Sequence, residues 1–309
     1  MMKDSNQRLD FEVVAEGLLF PEGPVALDDG SVVLVDMLAR TLVRVRPSQS
    51  KQVIANLAGG PNGAALGPDG KIYVCNNGGF SWSRDPNGKI VIDSEPPADY
   101  RGGWIERVDI ETGRVERLYE SIAGYRLSAP NDLVFDRSGG LWFTDTGKTR
   151  GRTRSLGGVY YAAPDGKELR QAVFHGISFN GIGLSPDERT LYVADTFSAT
   201  LWAYELSEPG VLDASKPPRV VSRVSRAVAF DSLAVMEGGD ICVGLLYEGG
   251  IAQISPSGEV TVYAFPDLYV TNICFGGADR RDAYITLSET GRLIRARWPA
   301  PGLALNFGR

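Results

Sequence analysis

Six segments of this chain begin alike, and a chain built on a repeat of this size has few folds open to it. They read Pro-Glu-Gly-Pro-Val-Ala-Leu from Pro21, Pro-Asn-Gly-Ala-Ala-Leu from Pro61 and Pro-Asn-Asp-Leu-Val-Phe from Pro130. Phe-Asn-Gly-Ile-Gly-Leu from Phe179, Phe-Asp-Ser-Leu-Ala-Val from Phe230 and Thr-Asn-Ile-Cys-Phe-Gly from Thr271 complete the set. Aligned on the second residue, they give a column of Glu22, Asn62, Asn131, Asn180, Asp231 and Asn272, each with a side-chain oxygen. The starts lie roughly 40 to 70 residues apart, a spacing that signals a propeller or an array.

Each start leads into the same continuation. A short apolar strand is followed by a turn rich in Asp, Gly and Pro, such as Asp28-Asp29-Gly30 or Pro68-Asp69-Gly70, and then by a second strand. Apolar runs bounded by such residues are hairpin signals. No apolar pattern of helical period persists for several turns. The expectation is an all-β chain, a six-bladed β-propeller with four-stranded blades around a central channel, which closes radially and removes long sheet edges. Residues 1–309 read as one such domain. The last unit has three strands after its start, and Phe11 to Ala15, within the segment 11–19, is expected to supply the missing outer strand.

Composition narrows the function. Among 309 residues, 43% are hydrophobic and 23% charged, enough for a sizeable core, and the net charge of −6 argues against a nucleic-acid partner. No apolar run reaches the ~18 residues of a membrane span, and the polar start Met1 to Asp10 does not read as a signal peptide. Cys75, Cys242 and Cys274 are too scattered for a disulfide framework or a zinc motif and read as buried thiols of a cytoplasmic protein. The single histidine, His175, leaves no His pair, and no Gly-x-Ser-x-Gly elbow accompanies it. His175 is expected in the loop before the fourth unit, making structural hydrogen bonds.

Two segments exceed the repeat. Residues 76–103 include Trp82 and Tyr100, and residues 146–157 carry Lys148, Arg150, Arg152 and Arg154. Both leave the end of a second strand, so both should overhang the face where the inner strands begin. Trp82 and Trp104 are expected near the channel or the substrate.

The oxygen column should ring one mouth of the channel. Carboxylate and amide oxygens are hard ligands that suit calcium better than zinc or copper. One divalent ion is expected, calcium ahead of zinc, manganese or magnesium. Column members that do not bind it, Asn62 and Asn272 among them, can hold water or orient substrate. Asp132 follows Asn131 directly, where the other units have Gly, Ser or Ile, and is a candidate general base. Ser232, after Asp231, can lend an oxygen to the metal or to substrate.

These residues resemble the SMP-30/gluconolactonase/luciferin-regenerating-enzyme family. The motifs are Phe20-Pro21-Glu22-Gly23-Pro24, Ala129-Pro130-Asn131-Asp132-Leu133-Val134-Phe135, Asn180-Gly181-Ile182-Gly183-Leu184-Ser185-Pro186-Asp187 and Val270-Thr271-Asn272-Ile273-Cys274-Phe275-Gly276-Gly277. The resemblance implies a propeller with a divalent metal, usually calcium, held by Glu22, Asn131, Asn180 and Asp231. It is closest to the bacterial lactonase branch, through Gly157-Gly158-Val159-Tyr160-Tyr161 and Asp231-Ser232. That implies Ser232 in the metal shell and Asp132 and Asp231 as acid/base candidates. Sugar-lactone hydrolases of the family carry an Arg where this chain has Ala129. The implied activity is calcium-dependent opening of a small-molecule lactone, with no nucleic-acid or membrane partner and the oligomeric state open. A phosphotriesterase using Asp231 as nucleophile, or a non-catalytic metal-stabilised binding propeller, are the alternatives.

Overall fold

Four second strands of the chain are buried from end to end. Val32–Asp36, Ile72–Asn76, Leu141–Asp145 and Ile241–Leu246 are buried at every residue, with no alternation of inside and outside. A strand reads this way when sheet neighbours flank it and other layers cover both its faces. The computed structural model supplies those layers as six sheets arranged as a propeller. It describes residues 6–48, 50–86, 88–93, 95–224 and 228–308, and no helix occurs among them.

From the axis outward, blade 1 is Pro21–Ala26, Val32–Asp36, Thr41–Val45 and Lys51–Asn56. Blade 2 is Pro61–Leu66, Ile72–Asn76, Trp104–Val108 and Val115–Tyr119, and blade 3 is Pro130–Phe135, Leu141–Asp145, Gly157–Ala162 and Leu169–Gly176. Blade 4 is Phe179–Leu184, Thr190–Asp195, Thr200–Glu208 and Arg219–Arg223, and blade 5 is Ala229–Val235, Ile241–Leu246, Gly250–Ile254 and Val260–Ala264. Blade 6 is Val270–Gly276, Asp282–Leu287 and Arg292–Arg297, completed by Phe11–Ala15, which pairs antiparallel with Arg292–Arg297. Just before it, Asn6–Gln7 adds a parallel fifth strand to blade 5. Each inner strand packs on the inner strand of the next blade, and the sixth packs on the first.

Apolar side chains fill the spaces between blades. Tyr73, Leu133, Phe135, Phe143 and Tyr160 form one such cluster, and Phe230, Leu233, Val243 and Leu245 belong to another. At the far end of the channel, residues 301–308 run across the mouth. Leu303 N–H donates to Val235 O, Asn306 Nδ2 donates to Phe135 O, and the Phe307 ring stands edge-on to Phe135 at 5.9 Å.

The two insertions carry small hairpins, Trp82–Arg84 with Ile90–Ile92 and Thr149–Arg150 with Thr153–Arg154. They are pinned to each other. Lys148 is buried, and its Nζ donates to Asn77 O at 3.0 Å and Gly79 O at 2.6 Å and sits 3.9 Å over the Phe80 ring.

Candidate metal centre and active site

In four of the six blades the column residue sits on a bulge. In blade 3, Pro130 lies opposite Asp145 and Leu133 opposite Phe143, so Asn131 and Asp132 together face Thr144. Blades 2, 4 and 5 repeat this two-against-one register at Asn62-Gly63, Asn180-Gly181 and Asp231-Ser232. Blade 1 shifts at the next pair, Gly23-Pro24, and blade 6 one residue earlier, at Thr271. A bulge bends its strand and re-aims side chains; here it lifts column residue and successor out of the ladder together. The released backbone groups find partners nearby. Asp132 N–H donates to Thr144 Oγ1 at 3.2 Å, and that hydroxyl donates to Asn180 O in the next blade.

Glycine follows the column residue where the next blade leaves no room. A Cβ on Gly63 would lie 2.4 Å from Asn131 O and 2.6 Å from Asp132 Cα, and one on Gly181 would lie 2.7 Å from Asp231 O. Asp132 and Ser232 occupy the same position in blades 3 and 5.

All six column residues are buried, as are Asp132 and Ser232. Asn272 Nδ2 donates to Glu22 Oε2 at 3.1 Å, linking blades 6 and 1. Ser232 Oγ donates to Asn180 Oδ1 at 3.4 Å, linking blades 5 and 4, and Asn180 Nδ2 donates to Thr196 Oγ1. Asn131 Oδ1 is buried with no hydrogen-bond partner among the described residues. An orphaned buried acceptor beside carboxylates carries a desolvation cost that a cation would remove.

The carboxylates tell the same story. Burial pushes Glu22 up to about 7, against the Gly23 N–H, the Asn272 amide and the Thr271 hydroxyl. Asp132 also rises to about 7, first through burial and then through the Glu22 charge, opposed by the Leu133 N–H, Ser232 and the Ile182 backbone. Asp231 is raised well above the usual carboxylate range by burial, then by Glu22 and Asp132, against the pull of Asn180. The Glu22 charge reaches Asp132, and both reach Asp231, so the three acids share one space. Among the described residues, no group of three His, Cys, Asp or Glu side chains by itself forms a cage. The fit of a hard cation rests on amide and hydroxyl oxygens, Asn131 Oδ1 foremost, standing among the carboxylates.

Residues 20–289 match the model of the SMP-30/Gluconolactonase/LRE-like region. The chain belongs to this family. Among relatives of this SMP-30/gluconolactonase/LRE-like chain, a gluconolactonase of Zymomonas mobilis is 28% identical over 319 residues, covering 93% of this chain and 80% of the relative. The lactonase drp35 of Staphylococcus aureus is 30% identical over 185 residues, 59% of this chain and half of the relative's own length. Two solved structures share the fold. The gluconolactonase of Xanthomonas campestris aligns with a TM-score of 0.74 at 22% identity, over 96% of this chain and 91% of that one. Regucalcin of Agrobacterium tumefaciens, described as a calcium-binding protein, aligns with a TM-score of 0.72 at 19% identity, over 96% and 98%.

Around the ring of this SMP-30/gluconolactonase/LRE-like propeller, the two tryptophans part company. Trp82 is carried over the mouth by the first insertion, its ring 5.2 Å from Phe20, two residues before Glu22. Trp104 lies in the third strand of blade 2, two strands out from Pro61, so it is not brought to the channel. Its Nε1 donates to Glu106 Oε2 at 2.8 Å, and Arg117 covers its ring. His175 ends the fourth strand of blade 3, exposed, at φ 75°, its ring 4.5 Å from Phe174. Its side chain makes no hydrogen bond among the described residues, so the structural hydrogen bonds expected of it are not found there.

A second repeated position escaped the sequence reading. The last residue of four second strands accepts from the loop that enters the inner strand. Asp36 takes Leu19 and Phe20 N–H, Asn76 takes Gly60 N–H, Asp145 takes Ser128 and Ala129 N–H, and Asp195 takes the Ser178 hydroxyl. These latches fix where each inner strand starts, and so where each ring residue sits. The signal was present in Val-Asp36, Cys-Asn76, Thr-Asp145 and Ala-Asp195.

Proposed function

We propose that this chain is a calcium-dependent lactonase whose centre is the bulged ring. The observation that carries the reading is the meeting of Glu22, Asp132 and Asp231, all pushed up by burial, Asp132 also by the Glu22 charge and Asp231 by both, with Asn131 Oδ1, which has no hydrogen-bond partner among the described residues. Glu22, Asn131, Asn180, Asp231 and Ser232 are the residues that would hold the ion. When bound, calcium would supply Lewis-acid polarisation of the ester carbonyl. Lactone hydrolysis is the activity named in the gluconolactonase and lactonase relatives.

The rest of the chemistry falls to this chain's own groups. Asp132 stands beside the column, and its carboxylate takes the proton of the attacking water. A base works best with a pKa near the operating pH, and burial brings Asp132 to about 7. The Leu133 N–H, 2.9 Å from Oδ1, fixes the carboxylate's orientation. Asp231 is also raised by burial and lies against Asn180, and its task is charge and position. The overhanging insertions exclude water above the ring.

A hydrolysis panel tests the reading: γ- and δ-lactones beside a phosphotriester, with added calcium and with chelator. Turnover of lactones that chelator abolishes and calcium restores is the expected result. Phosphotriester turnover alone, or lactone turnover indifferent to chelator, would sink it.

A further inference from the structure

Above the ring, a row of aromatic side chains borders the mouth, and opening a bare lactone makes no use of it. Tyr247 stands 5.8 Å from Tyr269, Tyr269 stands 6.1 Å from Phe20, Phe20 lies 5.2 Å from Trp82, and Trp82 lies 6.0 Å from Phe80. The arc runs from blade 5 across blades 6 and 1 to the first insertion. Sequence ties it to the ring, because Phe20 is two residues before Glu22 and Tyr269 three before Asn272. Tyr247 is close enough to Asp231 that the carboxylate's charge, after burial, pushes its phenol up.

Tyr247 is the member that packing does not explain. It is 57% exposed yet held at φ 72°, a left-handed conformation that aromatic residues rarely adopt. Its N–H donates to Leu268 O at 2.7 Å, which fixes the turn that presents the ring. An observed backbone outlier beside a reactive centre is a pointer to function. Leu19, Leu156, Ile177, Phe197 and Leu268 are also exposed, all in loops on this face. Three of the four cations of the second insertion are committed elsewhere, and Arg152 is exposed. Lys148 is held by Asn77 O and Gly79 O, Arg154 Nε donates to Ile177 O with its guanidinium over Phe197, and Arg150 lies over Tyr100.

We propose that the arc is the subsite for the lactone's substituent, that it takes an alkyl or aryl group, and that Tyr247 is the specificity-determining residue. The inference rests on the lactonase reading above. Ring faces gain from covering apolar surface. A polyhydroxylated substituent placed there would leave hydroxyls without partners, which is costly. The lactone carbonyl would meet the ring of oxygens while the substituent lies along Tyr247 and Tyr269.

The test compares kcat/KM for δ-valerolactone, a δ-lactone with a five-carbon side chain and glucono-δ-lactone, all with saturating calcium. The alkyl lactone should lead δ-valerolactone by at least about tenfold, since burying each methylene is worth roughly fourfold. Tyr247→Ala should lower that ratio about tenfold, chiefly through KM, and Tyr247→Phe should keep it. Tyr125→Ala, on an exposed hairpin of the same face, should leave the ratio as it was. Should Tyr247→Ala not fold, Trp82→Ala at the other end of the arc reads the same ratio. A wild-type preference for glucono-δ-lactone overturns the proposal and leaves the lactonase reading standing. An equal loss on all three substrates in Tyr247→Ala makes the residue structural and overturns it too. Turnover of none of the three sinks both.

Discussion

Around the channel mouth every column residue comes from the same place in an ordinary blade, whereas the roof above it comes from two insertions that occur once each. The ring is held by devices spread over several blades: backbone bulges, second-strand side chains latched onto backbone N–H groups, and the Thr144 hydroxyl bridging blades 3 and 4. The roof is held by side chains, with one buried ammonium shared between Asn77 O and Gly79 O. Strain is distributed in the opposite sense. The ring's backbone is satisfied while its acids repel; the roof joins few charges but depends on one of them. A repeat can fix geometry without regard to charge, because an ion can supply the missing charge later. A single insertion has no neighbouring copy to brace it and needs its own pin.

The acids of the ring should give the largest effect. Asp132→Asn keeps the shape and removes the basicity, and positioned proton transfer is worth about 10²- to 10⁴-fold. Turnover should fall by that order while calcium affinity, read by titration calorimetry, stays near that of the wild type. Asp231→Asn should lose both. If Asp132→Asn loses calcium, that residue is a ligand and the division between holding and reacting is wrong.

Charge without counter-charge gives the next effect. Glu22 and Asp132 are raised from ordinary carboxylate values to about 7 in the folded chain, so the folded state binds more protons than the unfolded one between roughly pH 4.5 and 7. Their contribution is therefore present at the acid end and lost as pH rises through about 7. In chelator, the Tm should fall from pH 5 to 7.5, and Glu22→Gln should flatten that slope. Calcium at about 100 times its Kd should add about 2.7 kcal/mol, with protons released on binding at pH 6. A chelated protein that gains stability over that window would contradict the electrostatic half of the comparison.

The roof should answer more weakly. Lys148→Met leaves the Asn77 and Gly79 carbonyls without their donor, at about 1 kcal/mol of net hydrogen-bond stabilisation. Protease sensitivity within residues 77–103 should rise and KM should increase, with calcium affinity unmoved. A loss of calcium binding would mean that the roof shapes the ring after all.

The same division governs what could be read from the chain. Column positions recur, so Glu22, Asn62, Asn131, Asn180, Asp231 and Asn272 announced themselves and fell on six adjacent inner strands. Asp132 was visible because it breaks the glycine-like pattern at its position. The bulge itself was hidden, since register is set by which residues face each other across a pair. Trp104 misled because proximity to an insertion in sequence is not proximity to the mouth; strand pairing carried it two strands outward. Lys148 was one of four cations in a loop, and nothing local distinguished the buried one. The aromatic arc joins residues about 250 positions apart, Phe20 and Tyr269, and only ring closure brings them together.

The bulges have a further consequence, for how such a protein can change over generations. A residue in a regular ladder position is judged by its cross-strand neighbours, so most replacements disturb a pair. In blades 2 to 5 the column residue and its successor stand outside that scrutiny. Mutations there can try new functional groups at the mouth while the sheets go on pairing as before. Gly63 and Gly181 are shut to this experiment by the backbone of the next blade. Asn62, Asn131, Asp132, Asn180, Asp231 and Ser232 stay open to it, which makes them six exchangeable tool positions on a frame that need not be rebuilt.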